Sequence, residues 1–171
     1  MKKKICLLLM VFLLAGVLSA CSDEGNTFEA RSYTPEGEQI CGIDIQAEDR
    51  EIQVIPSDDG QFHIEYAESE KEFYEISVSD GGILTMVSKS DKEWTDFIGL
   101  NKASGHDRIT VKIPDAALSS VKLSTTNEDI SLSALTVTDQ LVLSDNGGDI
   151  SFEKVSAADS ITVKNKNGDI S

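Results

Sequence analysis

Beyond Ile40 the chain alternates apolar and polar residues with a period of two over most of its length. Ile43 and Ile45 alternate with Asp44 and Gln46, and Ile52 and Val54 flank Gln53, until the run halts at Pro56-Ser57-Asp58-Asp59-Gly60. Phe62, Ile64 and Tyr66 alternate with His63 and Glu65. Tyr74, Ile76 and Val78 alternate with Glu75 and Ser77, and Asp80-Gly81-Gly82 then turns the chain toward Leu84 and Met86. A period of two bounded by turn residues is the pattern of half-buried strands. The one helical candidate, residues 68–72, is too short and too charged to nucleate and reads as a turn. Residues 89–108 break the rhythm. It returns at Ile109, Val111 and Ile113 and closes at Pro114, which cannot donate to a ladder.

A longer period is superposed on the last part of the chain. Residues 121–131, 141–151 and 161–171 are three copies of one pattern, spaced by twenty with no gap. Apolar residues recur at Val121/Leu141/Ile161, at Leu123/Leu143/Val163 and at Ile130/Ile150/Ile170; Leu132 matches Phe152 and Leu135 matches Val155. Asp129, Asp149 and Asp169 recur, each followed by Ile-Ser. A fixed short period with strand character predicts a solenoid, each copy giving strand, polar turn, strand, with like residues stacked about 4.8 Å apart. An antiparallel meander with equal hairpins is the competing reading, but it has no need of strict spacing. Asn127, Gly147, Gly148, Asn167 and Gly168 are expected to allow positive φ in the turns. The last copy stops at Ser171 in mid-rung. This predicts a domain incomplete at its C-terminus, with Ile161, Val163 and Ile170 partly exposed.

The leader changes the address. Lys2-Lys3-Lys4 precedes the apolar run 5–17, which ends in Leu18-Ser19-Ala20-Cys21. The run has the length of a signal segment rather than of a permanent span. Small residues before a cysteine are what a lipoprotein peptidase seats, and the Cys21 thiol would then carry a thioether-linked diacylglycerol. Residues 1–20 are therefore expected to be a removable lipoprotein signal, 21–39 the lipidated cysteine and a polar flexible tether, and 40–171 the β-domain. Two acyl chains anchor stably where one is marginal. The protein is expected at the cell membrane, lipid-anchored on the extracytoplasmic face. Cys41 then has no intrachain partner, and reads as a small buried hydrophobe beside Ile40, with an intermolecular disulfide or a reactive thiol as the alternative. With 15 basic against 30 acidic residues the formal charge is −15, which argues against nucleic acid and against adhesion to anionic lipid by charge.

The run Ile109-Thr110-Val111-Lys112-Ile113-Pro114, followed by residues 121–131 and two further Gly-Asp-Ile turns, resembles the bacterial "putative adhesin" family, a domain of unknown function. Residues 51–58 and the Gly82-Ile83-Leu84-Thr85 step fit as well, so the resemblance covers residues 40–171. It implies an all-β, right-handed β-helix-like domain, with the twenty-residue repeat in the C-terminal half and shorter alternating strands before it. It implies envelope proteins, often tethered to a membrane, and no catalytic residues. The chain departs from the pattern at Glu128, where the other turns have Gly148 and Gly168.

Three features carry candidate chemistry. The Asp129, Asp149 and Asp169 carboxylates would stack within about 5 Å, where like charges repel. Either each accepts N–H bonds from its own turn, or a calcium ion bridges rungs with help from Asp145 and Asn146. The calcium β-roll nonapeptide is not present. Trp94 and Phe97, with Ile98 and Leu100 among charges, suit an exposed binding loop or a cover over one end of the core. His63 and His106 lack an evident partner for metal or base chemistry, and His63 should point away from the core. No nucleophile elbow, phosphate loop or zinc motif occurs. The expected role is non-catalytic, without cofactor: an envelope module binding a protein or cell-wall polymer. A carbohydrate-active enzyme and a structural spacer are the alternatives.

Overall fold

The computed structural model describes residues 27–37, 39–92, 107–114 and 117–171. Thirteen strands occur among them: β1 (Glu29–Tyr33), β2 (Gly42–Gln46), β3 (Glu51–Pro56), β4 (His63–Glu68), β5 (Glu72–Val78), β6 (Ile83–Ser90), β7 (Arg108–Ile113), β8 (Leu118–Ser124), β9 (Ile130–Ser133), β10 (Thr136–Asp145), β11 (Ile150–Glu153), β12 (Ser156–Ala157) and β13 (Ser160–Asn165). They form two mixed sheets, ordered β1-β4-β7-β3-β9-β11 and β12-β10-β8-β2-β6-β5, with β13 also pairing β10. Neither sheet closes into a barrel.

Each layer of the stack takes one strand from each sheet. β8 and β10 pair in parallel with Val121 opposite Leu141 and Leu123 opposite Leu143, and β13 continues with Ile161 and Val163. In the other sheet Ile130 faces Ile150 and Leu132 faces Phe152, and Ile150 bridges to Ile170. Partners twenty residues apart are therefore stacked like on like. The inward side chains Val121, Leu123, Ile130, Leu141, Leu143 and Ile150 are fully buried. Parallel strands covered on both faces read as continuous apolar runs. Here only one face is covered, so the alternation survived in the sequence.

The order of layers in space is not their order in the chain. The β2–β3 layer lies directly on the β8–β9 layer, with Ile43 opposite Val121 and Ile52 opposite Ile130. On its other side lies the β6–β7 layer, through Ile43–Leu84 and Ile52–Ile109. The result is an isoleucine column in the order Ile109, Ile52, Ile130, Ile150, Ile170. Beyond the β6–β7 layer the pairing turns antiparallel: β5 lies on β6, and β4 on β7 with β1 outside it. These strands cover that end, where Tyr66 and Tyr74 meet edge to face at 5.3 Å.

Three expectations need correction. Residues 29–33, read as part of the tether, form β1 on β4; four of the five residues are exposed, so no alternation marked the strand. The repeat-turn glycines are not in the left-handed region: positive φ occurs at Gly37, Gly60 and Gly82, and at Asp49, Ala134 and Lys154. Gly148 and Gly168 are instead required by close approach, since a Cβ on either would meet the backbone of the preceding turn. The left-handed corner of the repeat falls at Ala134 and Lys154, twenty residues apart, which composition did not flag. Third, Cys41 is only partly buried. Residues 69–71 form the expected turn between β4 and β5, where the Ser69 hydroxyl accepts the Glu72 N–H at 3.1 Å. At the open end of the stack Ile161 and Ile170 are 55% and 53% exposed and Val163 is half-buried, as the sequence predicts.

Candidate functional site

The aspartate column forms a ladder between turns. The Asp149 N–H donates to Asp129 Oδ1 and the Asp169 N–H to Asp149 Oδ1, both at 2.8 Å. The acceptors were expected to serve their own turns; they serve the next one instead. The partial positive charge of each N–H lies between successive carboxylates, which offsets their repulsion. A calcium ion between rungs would have to displace these bonds from the Oδ1 atoms. Among the described residues no group of three or more His, Cys, Asp or Glu side chains converges as a metal site.

The cap of each turn comes from another column. Asp145 is buried, and its Oδ2 accepts the N–H groups of Gly147 (3.0 Å) and Gly148. Its Oδ1 is buried without a partner. Asn165, twenty residues on, does the same work without charge. Its Oδ1 accepts the Gly168 N–H at 3.2 Å, and its Nδ2 donates to Gly148 O at 2.8 Å. Replacing Asp145 by asparagine is therefore expected to keep the cap, remove a buried charge and let the new amide donate across the rung. The expected gain is about 1 kcal/mol. A urea midpoint lower than that of the parent chain would contradict this.

His63 has two partners, against expectation. Its Nε2 lies 2.9 Å from Asp59 Oδ2 and its Nδ1 lies 2.8 Å from the Thr34 hydroxyl. Asp59 Oδ1 accepts from the Ser57 hydroxyl at 2.6 Å and from the Gln61 N–H at 2.9 Å. The Ser57 hydrogen bond, then the Gln61 N–H and His63, hold the Asp59 carboxyl well below the usual carboxylate range. A hydroxyl, an imidazole and a carboxylate in line are the parts of a nucleophilic triad. In such a triad the carboxylate is buried behind the ring, whereas Asp59 is 55% exposed on a turn. The arrangement instead clasps the end of β1 to the β3–β4 turn. As expected, His63 lies on the outer side of its strand, between the buried Phe62 and Ile64.

Beside this clasp is a cleft of about 470 Å³, lined among others by Thr34, Cys41, Phe62, Leu118 and Thr138. Gly82 lies beneath Cys41, whose N–H donates to Gly82 O at 2.8 Å. A Cβ at Gly82 would lie 3.1 Å from the Cys41 sulfur. At the capped end Arg50 donates to Glu72 Oε2 at 2.7 Å, and Lys92 pairs with the same carboxylate. The Arg50 guanidinium also lies over the Phe28 ring at 5.3 Å. Burial pushes the neighbouring Tyr74 hydroxyl up from its ordinary pKa. No sequence signal joins residues so far apart in the chain. Cys21, Trp94, Phe97 and His106 lie outside the described residues.

Residues 40–171 match the model of the family described as Toastrack DUF4097. No curated protein matches the chain. A crystal structure described as a "putative cell adhesion protein" from Clostridium sporogenes is similar over 84% of this chain and 97% of its own, at 9% identity and a TM-score of 0.51. That likeness shows a shared fold. Two crystal structures described as a "putative adhesin" also align. The one from Parabacteroides distasonis has 15% identity and a TM-score of 0.35, over 86% of this chain and 71% of its own. The one from Bacteroides fragilis has 10% identity and a TM-score of 0.34, over 85% of this chain and 96% of its own.

Proposed function

The chain belongs to the Toastrack DUF4097 family, and from that premise we propose that it is a non-catalytic, adhesin-like envelope module, held outside the membrane by a lipid on Cys21. The observation that carries the anchoring is the order of parts in the leader: three lysines, an apolar run of signal length, then Leu18-Ser19-Ala20-Cys21. The similar Clostridium sporogenes structure, described as a "putative cell adhesion protein", favours a cell-surface role. The layers fit a binding or scaffolding module: their core is aliphatic and their outer faces carry small polar residues and cross-strand ion pairs such as Lys122–Asp44 at 2.9 Å. Such half-exposed pairs add little stability, but they hold an acidic surface regular. We read the winding from β8 through β9 to β10 as right-handed, because parallel crossovers take that hand almost without exception. The partner we favour is an envelope protein or cell-wall polymer, met on a flat strand face or by Trp94 and Phe97.

Replacing Cys21 by serine tests the anchor. The expected outcome is loss of label from radioactive palmitate and accumulation of precursor that still carries residues 1–20. Mature-size protein still partitioning into detergent would contradict the anchor while leaving the fold untouched.

A further inference from the structure

Two neighbouring turns of the repeat contain an Asn-Gly step, Asn146-Gly147 and Asn167-Gly168, one residue apart in register. With no Cβ to hinder it, a glycine nitrogen can close on the asparagine side chain beside it, in a five-membered ring that needs no distant partner. The surroundings of the two steps differ.

At the first, Asn146 and Gly147 are both exposed. Among the described residues the Asn146 side chain has no hydrogen-bond partner, and its main-chain oxygen accepts from Asn167 Nδ2 at 2.8 Å. The Gly147 N–H donates to Asp145 Oδ2 at 3.0 Å. A carboxylate therefore already holds the proton that this nitrogen must lose in order to attack. The other oxygen of Asp145 is buried without a partner and is open to that proton. At the second step the Gly168 N–H donates to Asn165 Oδ1 at 3.2 Å, a neutral amide that is no base. The Asn167 side chain is tied by its bond to the Asn146 oxygen, and Gly168 is half-buried.

We propose that Asn146 is a site of spontaneous self-modification, converted to aspartate and isoaspartate through a succinimide. The Gly147 nitrogen gives its proton to Asp145 and bonds to Asn146 Cγ. The Cγ–Nδ2 bond breaks, and that nitrogen leaves as ammonia with the proton from Asp145. Water then opens the ring. Breaking the new Cγ–N bond leaves aspartate at 146. Breaking the original peptide bond leaves isoaspartate, with the chain running through Cγ. The step occurs once per chain, so it asks for no turnover from a non-catalytic module. Either product adds a carboxylate to the turn edge that carries Asp129, Asp149 and Asp169. Isoaspartate also turns the main-chain carbonyl that accepts from Asn167 into a free carboxylate, which loosens the next turn.

The test follows the full chain in mildly alkaline buffer by peptide mass spectrometry, reading the single mass unit gained when an amide becomes an acid. Asn146 is expected to convert at least about tenfold faster than Asn167, short of the roughly 10²–10⁴ that a base positioned in an enzyme supplies. Asp145→Asn keeps the cap, as Asn165 does in its own turn, but removes the base. It should slow Asn146 to about the rate of Asn167. Gly147→Ala should also slow Asn146, by hindering ring closure, in a fold where the added Cβ meets nothing closer than 3.2 Å. In concentrated urea, where the turns are lost, the two steps of the parent chain should react at similar rates. Folded chain in which Asn146 converts no faster than Asn167 overturns the proposal. So does an Asp145→Asn or Gly147→Ala chain as fast as the parent, or a difference between the two steps that persists in urea.

Discussion

Alanine at Gly148 is expected to destabilise the domain by about 3 kcal/mol, the upper part of the range for overpacked sites. Its Cβ would lie 2.5 Å from Glu128 O and 2.7 Å from the Asp129 N, both backbone atoms of the layer below. Flexible side chains can move aside, but a backbone held in a parallel ladder about 4.8 Å away cannot move without spreading the layers. Gly147 is the built-in control. A Cβ there meets Asn127 Oδ1 at 3.2 Å and backbone atoms at 3.4 and 3.5 Å. Gly147→Ala should therefore cost well under half as much in urea denaturation. Equal costs at the two positions would point to left-handed backbone strain in the turn rather than to close approach of the layers. The turn beneath residues 126–127 has another backbone, with Asp49 at φ 51°.

Ile150→Ala carries the second large effect. Ile150 is 0% exposed, between Ile130 on one side and Ile170 on the other. Truncation removes buried methyl groups and leaves a cavity that a rigid ladder cannot collapse into. The expected cost is about 2–4 kcal/mol, read from denaturant midpoints. Ile170→Ala, at a side chain 53% exposed, should cost far less. A loss below about 0.5 kcal/mol at Ile150 would place its side chain on the surface and reverse the register of β11.

The repeat was legible because stacking like on like needs strict spacing: Val121, Leu141 and Ile161 stand opposite one another in the sheet as they align in the sequence. The strands of the first half were legible for a different reason, their single buried face. Their order was not. The β2–β3 layer meets the β8–β9 layer across 78 residues, as at Lys122–Asp44, and the β6–β7 layer across 57, as at Arg108–Glu51. Neither distance is a multiple of twenty, so no periodicity could reveal that an early layer sits between two later ones. The turn glycines were found for the wrong physical reason, since φ and close approach leave the same residue in a sequence. The Asp129–Asp149–Asp169 column was visible, but the donor to each carboxylate became evident only once the layers were stacked. The Thr34–His63–Asp59 clasp depends on β1, which carried no alternation to announce it.

The central claim is the stack itself, in its particular order. Methyl-labelled isoleucine in solution reads it directly, because adjacent layers bring stacked side chains within range of nuclear Overhauser contacts. The account predicts methyl cross-peaks linking Ile109 to Ile52, Ile52 to Ile130 and Ile130 to Ile150, with Ile150 reaching Ile170. It predicts none between Ile109 and Ile130, which are separated by a layer. A meander of equal hairpins would lose the Ile52–Ile130 and Ile130–Ile150 contacts, and their absence would contradict the stacked fold.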